Sequence, residues 1–134
     1  MIGVIPNRLV EAEIAHAGLT QLHIVDTMHE RKALMAELSD AVIALPGGTG
    51  TLDELFEMFT WSQLGLHRKP IATLDVGGYW TGFHRFLRDA VQAGFMKPEN
   101  LSLISNVATV DGLLPALEAY RAPTVGKWLD PEET

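Results

Sequence analysis

Two groups of residues in this chain have the types and spacing to do chemistry. The first is Pro46-Gly47-Gly48-Thr49-Gly50-Thr51-Leu52-Asp53-Glu54, which follows the apolar run Ala41-Val42-Ile43-Ala44-Leu45. Gly47, Gly48 and Gly50 allow positive φ and leave the backbone bare, so its N–H groups can converge on an anion. Leu52, Leu55, Phe56 and Phe59 then recur at helical spacing. A helix start, with its unpaired N–H groups and positive dipole end, therefore falls at the glycines, where a phosphate can bind. There is no Gly-x-Gly-x-x-Gly and no Lys-Ser/Thr closing a Walker-type loop, so for the glycines alone a plain tight turn is the alternative. Glu54 favours the anion site. It lies about one turn into the helix, and a carboxylate beside a phosphate suits a ribose or a water.

The second group is Arg31-Lys32, the adjacent basic pair of the first half. Exposed basic residues are the rule, and a solvated surface group is the plain alternative for both. The geometry of an open parallel sheet argues otherwise, because ligands sit at the carboxyl ends of its strands. The start of the Arg31 helix and the glycine loop both fall at that edge, on successive strands. Arg31 offers a planar fork of donors that suits a phosphate or a base edge.

The elements that must position these groups alternate along the chain. Met1 to Pro6 reads as a strand, Asn7 to Gly18 as a loop with a short helix, and Leu22-His23-Ile24-Val25 as a second strand closed by Asp26. Thr27 and Glu30 match a capping box, and a helix follows through Leu38. The run 41–45 is short and β-branched, as a strand buried on both faces should be. Gly65 stops the central helix, and Pro70 opens a strand from Ile71 to Asp75. Gly77-Gly78 makes a turn, and Tyr79 to Ala93 carries apolar residues at helical spacing. A short strand through Leu103 and Ile104 and a helix from Asp111 to Tyr120 complete the alternation. The class is α/β with a parallel sheet. Residues 1–122 form one domain, and 123–134 are a tail expected to be mobile.

Composition bounds the partners. The chain has 134 residues, 47% of them hydrophobic and 20% charged, which suits one globular domain. A formal net charge of −7 argues against a nucleic-acid or anionic-membrane surface, so an anionic ligand needs a local site. No cysteine is present, which excludes disulfides and thiolate metal sites. No apolar run approaches the roughly 20 residues of a membrane span, and no signal pattern opens the chain, so a cytoplasmic protein is expected. His16, His23, His29, His67 and His84 show no paired metal-ligand spacing. We assign no metal and no cofactor.

Taken together, Met28-His29-Glu30-Arg31-Lys32, then the Pro46 to Glu54 motif, then Thr60-Trp61-Ser62-Gln63-Leu64-Gly65 resemble the LOG (Lonely Guy) family, formerly described as lysine decarboxylase-like. The resemblance runs from Ile2 to about Tyr120, with Arg31 and Glu54 separated by 23 positions. It implies a Rossmann-like, doubly wound parallel sheet. It also implies a cytokinin riboside 5′-monophosphate phosphoribohydrolase, which cleaves the N-glycosidic bond of AMP or an N6-modified AMP to free base and ribose 5-phosphate. By the same match Arg31 and Glu54 are the catalytic pair, and Glu13, Lys32, Gly47, Gly48, Thr49, Gly50, Thr51 and Thr60 contact substrate. The expected partners are a small-molecule nucleoside monophosphate and a second copy of the chain, in a homodimer or larger homo-oligomer. No lysine sits in a context for pyridoxal phosphate.

The chemistry of these residue types suits hydrolysis. Breaking an N-glycosidic bond builds positive charge on the ribose, and Glu54 can stabilise that charge, orient the ribose hydroxyls or activate water. Arg31 stays charged, so its work is to clamp phosphate or to stabilise the departing adenine. Glu57, one turn after Glu54, is a second carboxylate or a solvated helix acid. One departure from the family's pattern stands out. Members begin with two further strand-helix units, whose strands lie between the first two strands of this chain, and their absence is expected to leave unpaired edges. The competing readings are a non-catalytic nucleotide- or cofactor-binding carrier, like the molybdenum-cofactor carriers, and an inactive truncated homologue.

Overall fold

The computed structural model describes residues 2–6 and 18–123. It divides after Ser39 into two units, each described here by itself.

In the first unit β1 (Ile2–Pro6) and β2 (Gln21–Val25) run parallel, with Ile2 opposite Gln21 and Pro6 opposite Val25. This direct pairing corrects the expectation that the first two strands stand apart with open facing edges. The backbone groups that such edges would leave bare satisfy one another. The expected short helix before Gly18 and the candidate Glu13 lie outside the described residues. After β2, α1 (Met28–Leu38) starts on Thr27, whose side-chain oxygen accepts from the Glu30 N–H at 3.1 Å. The Glu30 carboxylate accepts from the backbone N–H of Asp26 at 2.8 Å. The capping box is therefore present, closed one residue farther back than its usual form.

In the second unit β3 (Val42–Ala44), β4 (Ile71–Leu74) and β5 (Ile104–Val107) form a parallel sheet in the order β3-β4-β5. Among the described residues the five strands thus make two parallel sheets, where the alternation predicts one. Val42 lies opposite Ile71, and Ile71 opposite Ile104. All four residues of the central β4 are buried, as a strand covered on both faces requires, and its sequence accordingly shows no polar alternation. Between β3 and β4 runs α2 (Thr49–Gln63), which buries Leu55, Met58, Phe59 and Ser62, one stripe at helical spacing.

A short 3₁₀ turn (Val76–Gly78) leads from β4 to α3 (Thr81–Gln92), and a second (Pro98–Leu103) leads into β5. The chain's described part ends on α4 (Val110–Ala119), capped by the Thr109 hydroxyl, which accepts from the Gly112 N–H at 3.2 Å. Leu113 of α4 packs with Ala72 and Leu74 of β4, flanked by Val107 and Leu117. Helix α3 begins two residues later than its apolar spacing predicts, and just before it the Trp80 N–H donates to the Asp75 carboxylate at 2.7 Å. The Trp80 ring is 1% exposed and meets Tyr79 and Phe83 edge-on. Gly65 and Gly94 end α2 and α3 at φ 75° and 85°, the left-handed conformation that glycine adopts without a Cβ penalty.

Leu55, 2% exposed, fixes the inward face of α2. Leu55→Ala removes its buried methyl groups and leaves a cavity, so the unfolding free energy is expected to fall by about 2–5 kcal/mol in a urea titration.

Candidate active site

The strand, loop and helix expected at residues 41–59 are present, but the strand is not buried on both faces, Ile43 being 42% exposed at the edge of its sheet, and the glycines act differently from the expectation. None of the three adopts positive φ; among the described residues the glycines that do are Gly65, Gly77, Gly78 and Gly94. Gly48 has φ −98°. Gly47 is needed for a close approach instead. A Cβ placed on it would lie 2.9 Å from the Thr51 Cβ and against the Thr51 hydroxyl, so only glycine lets the loop fold onto the first turn of α2. At Gly48 and Gly50 a Cβ would meet open space, and both residues are exposed.

Helix α2 takes Gly48 as its N-cap, with the Leu52 N–H donating to the Gly48 carbonyl at 3.1 Å. No side chain caps this end, and its first turn carries no acid. The N–H groups of Thr49, Gly50 and Thr51 thus form the positive end of a 15-residue helix dipole on an exposed glycine loop. Glu54 is half-buried and shares a helix face with Gly50 and Thr51, four and three residues before it. Glu57 and the exposed Thr60 continue the same ridge at three-residue steps. The second unit therefore gathers Gly47, Gly48, Thr49, Gly50, Thr51, Glu54 and Thr60 along one helix and the loop that opens it.

The loop after β4 closes on this one. Tyr79 donates its hydroxyl proton to the Gly47 carbonyl. Behind Tyr79 lies a directed chain of hydrogen bonds. Asn106 donates from Nδ2 to the Asp75 Oδ2 at 2.8 Å, which leaves the Asn106 Oδ1 as an acceptor. Thr73 donates to it at 2.9 Å. The hydroxyl has one proton to give, so His84, whose Nε2 lies 2.7 Å from the Thr73 Oγ1, carries its proton on Nε2. The chain runs from His84 through Thr73 and Asn106 to the Asp75 carboxylate. Hydrogen bonds from Asn106, the Trp80 backbone and Thr81 hold the Asp75 carboxyl below its ordinary 3.8. Burial lowers His84, partly opposed by the Asp75 charge.

Sequence reasoning missed Tyr79, Asp75 and Asn106. Asp75 directly after an apolar strand was the available signal, but its partners are up to 31 positions away.

In the first unit Arg31 and Lys32 occupy the second turn of α1, both half-buried. The Nε of Arg31 is buried with no hydrogen-bond partner, a donor that an incoming acceptor would satisfy. Among the described residues no three His, Cys, Asp or Glu side chains gather as a metal ion would need. His67 serves structure: its Nδ1 accepts from the Lys69 N–H at 3.1 Å, so its Nε2 donates to the Met58 carbonyl at 2.8 Å.

A family model described as "Possible lysine decarboxylase" matches residues 1–117. The "Probable cytokinin riboside 5'-monophosphate phosphoribohydrolase" of Oryza sativa subsp. japonica is 46% identical over 120 residues, 90% of this chain and 57% of that protein. The "Cytokinin riboside 5'-monophosphate phosphoribohydrolase" of Rhodococcoides fascians is 46% identical over 124 residues, 92% of this chain and 61% of the relative. One of the same name from Arabidopsis thaliana is 44% identical over 120 residues, 90% and 56% respectively. The chain spans a little over half the length of these relatives.

The Asp75 cluster has a pH signature. A carboxyl held below 3.8 when folded contributes stability that is fully present above that pH and is lost as pH falls through the folded value. Asp75→Ala is expected to unfold at lower urea than the unchanged chain at pH 7. The gap does not shrink between pH 7 and 5 and closes progressively below about pH 4, as measured by urea titrations across the range.

Proposed function

The chain belongs to the family described as possible lysine decarboxylase, which its relatives and its motifs identify as the LOG family, and from that membership we propose that it hydrolyses the N-glycosidic bond of an adenosine 5′-monophosphate. Plain or N6-modified AMP gives free base and ribose 5-phosphate. The observation that carries this reading is the N-terminus of α2, uncapped at Gly48 on an exposed glycine loop, with Glu54 on the same helix face.

The phosphate sits on the N–H groups of Thr49, Gly50 and Thr51, where the helix dipole favours an anion. The ribose then reaches along the ridge towards Glu54. As the C1′–N9 bond breaks, its electrons leave with the base and positive charge builds on the ribose ring. Glu54 stabilises that charge or takes the proton of the water that attacks C1′. Arg31 keeps its charge and has a buried Nε without an acceptor. On the family match it serves electrostatically, on the phosphate or on the departing base, with Lys32 beside it. Glu13 and Thr60 join the substrate contacts in this proposal on the family match. The protein is further proposed to work in the cytoplasm, from its composition, and as a homodimer or larger homo-oligomer, on the family match. Among the described residues no helix is long and apolar enough to cross a membrane.

Chromatographic assay of the chain with AMP and isopentenyladenosine monophosphate tests the proposal. Base and ribose 5-phosphate are expected in equal amounts, with Glu54→Gln and Arg31→Ala each slower by about 100-fold or more. Full turnover by Glu54→Gln would refute the role of that carboxylate. A folded chain that binds AMP without turnover would favour the carrier reading.

A further inference from the structure

Tyr79 is 53% exposed, yet its hydroxyl reaches the Gly47 carbonyl, 32 positions earlier in the chain. The loop that carries it is braced. Asp75 accepts from the Trp80 N–H at 2.7 Å, from the Thr81 hydroxyl at 3.1 Å and from Asn106 of β5 at 2.8 Å. Gly77 and Gly78, at φ 61° and 77°, make the turn. The Tyr79 N–H donates to the Val76 carbonyl at 3.2 Å, and its ring meets the buried Trp80 ring edge-on at a centroid distance of 5.2 Å. The hydroxyl is therefore presented from a fixed base. On the other side, Gly47 is already pressed against Thr51, so the glycine loop is held from two directions.

The bonded carbonyl belongs to the Gly47–Gly48 peptide. In a trans peptide the C=O and the following N–H point oppositely, so fixing the Gly47 carbonyl on Tyr79 also fixes the direction of the Gly48 N–H. That N–H precedes the three free ones of the helix's first turn.

We propose that Tyr79 is a positioning residue: braced by Asp75, its hydroxyl locks the Gly47–Gly48 peptide so that the Gly48 N–H joins those of Thr49, Gly50 and Thr51 in receiving a phosphomonoester. This deepens the function proposed above and rests on it. Tyr79 touches no reacting atom in this scheme, so its loss weakens substrate capture and leaves the chemical step alone.

Tyr79→Phe keeps the ring contact with Trp80 and removes only the hydroxyl. Backbone 15N order parameters, measured by NMR without ligand, are expected to fall from the rigid range near about 0.85 to below about 0.6 at Gly47 to Gly50. Steady-state kinetics with AMP should show KM raised about fivefold and kcat changed by less than about twofold. Unchanged order parameters in the loop overturn the proposal, as does a looser loop with an unchanged KM. A fall in kcat at constant KM overturns it too, since the hydroxyl would then act on the reacting atoms. An unmutated chain that neither binds nor turns over AMP refutes the nucleotide reading, while the order parameters still decide whether the hydroxyl holds the loop.

Discussion

The first turn of α2 begins on a residue with no side chain to offer it, and the organisation of residues 40–123 follows from that. Helices in proteins commonly receive Ser, Thr, Asp or Asn at this position, which satisfies one of the orphan N–H groups. Gly48 satisfies none. The helix therefore keeps a cluster of donors and a positive dipole end on an exposed surface, at a cost in stability that an anion would offset. For the cluster to converge, the preceding loop must lie close against the helix. Gly47 allows it, since a Cβ there would collide with Thr51.

Holding that loop requires support from elsewhere in the sheet. β3 contributes only three residues, too few to fix the loop by pairing alone. The fully buried β4 supplies the remainder. Its inward apolar residues anchor α4, while Thr73 joins His84 of α3 to Asn106 of β5 in a polar chain that ends on Asp75, at the start of the loop carrying Tyr79. Each member donates once in the same direction, and the chain ends on a carboxylate. The buried Thr73 hydroxyl thus has partners on both sides, and the chain leads from it to the exposed Asn106 and the half-buried Asp75.

What the sequence made legible was local. The β-branched run Val42–Ala44, the glycine stop at Gly65, the Thr27–Glu30 cap and the helical spacing of Leu55 and Phe59 are signals within a few residues of one another, and each corresponds to an observed element. The glycine loop and the position of Glu54 were readable in the same way. The reason for Gly47 was not, because a close approach between Gly47 and Thr51 depends on how the loop meets the helix rather than on residue type. Nor were the bond from Tyr79 to Gly47 or that from Asn106 to Asp75, which join residues about 30 positions apart. The pairing of β1 with β2 was also beyond local pattern. Strand neighbours are chosen by which edges meet, and periodicity carries no information about that.

The central claim is that the loop and first turn of α2 bind the phosphate of a nucleoside monophosphate. Its most direct test is an NMR titration of the chain with AMP and, separately, with adenosine. The account predicts saturable shifts at the amides of Gly48 to Thr51 with AMP, and affinity for adenosine weaker by about tenfold or more. Equal affinity for the two, or shifts that leave residues 47–54 unmoved, would contradict it.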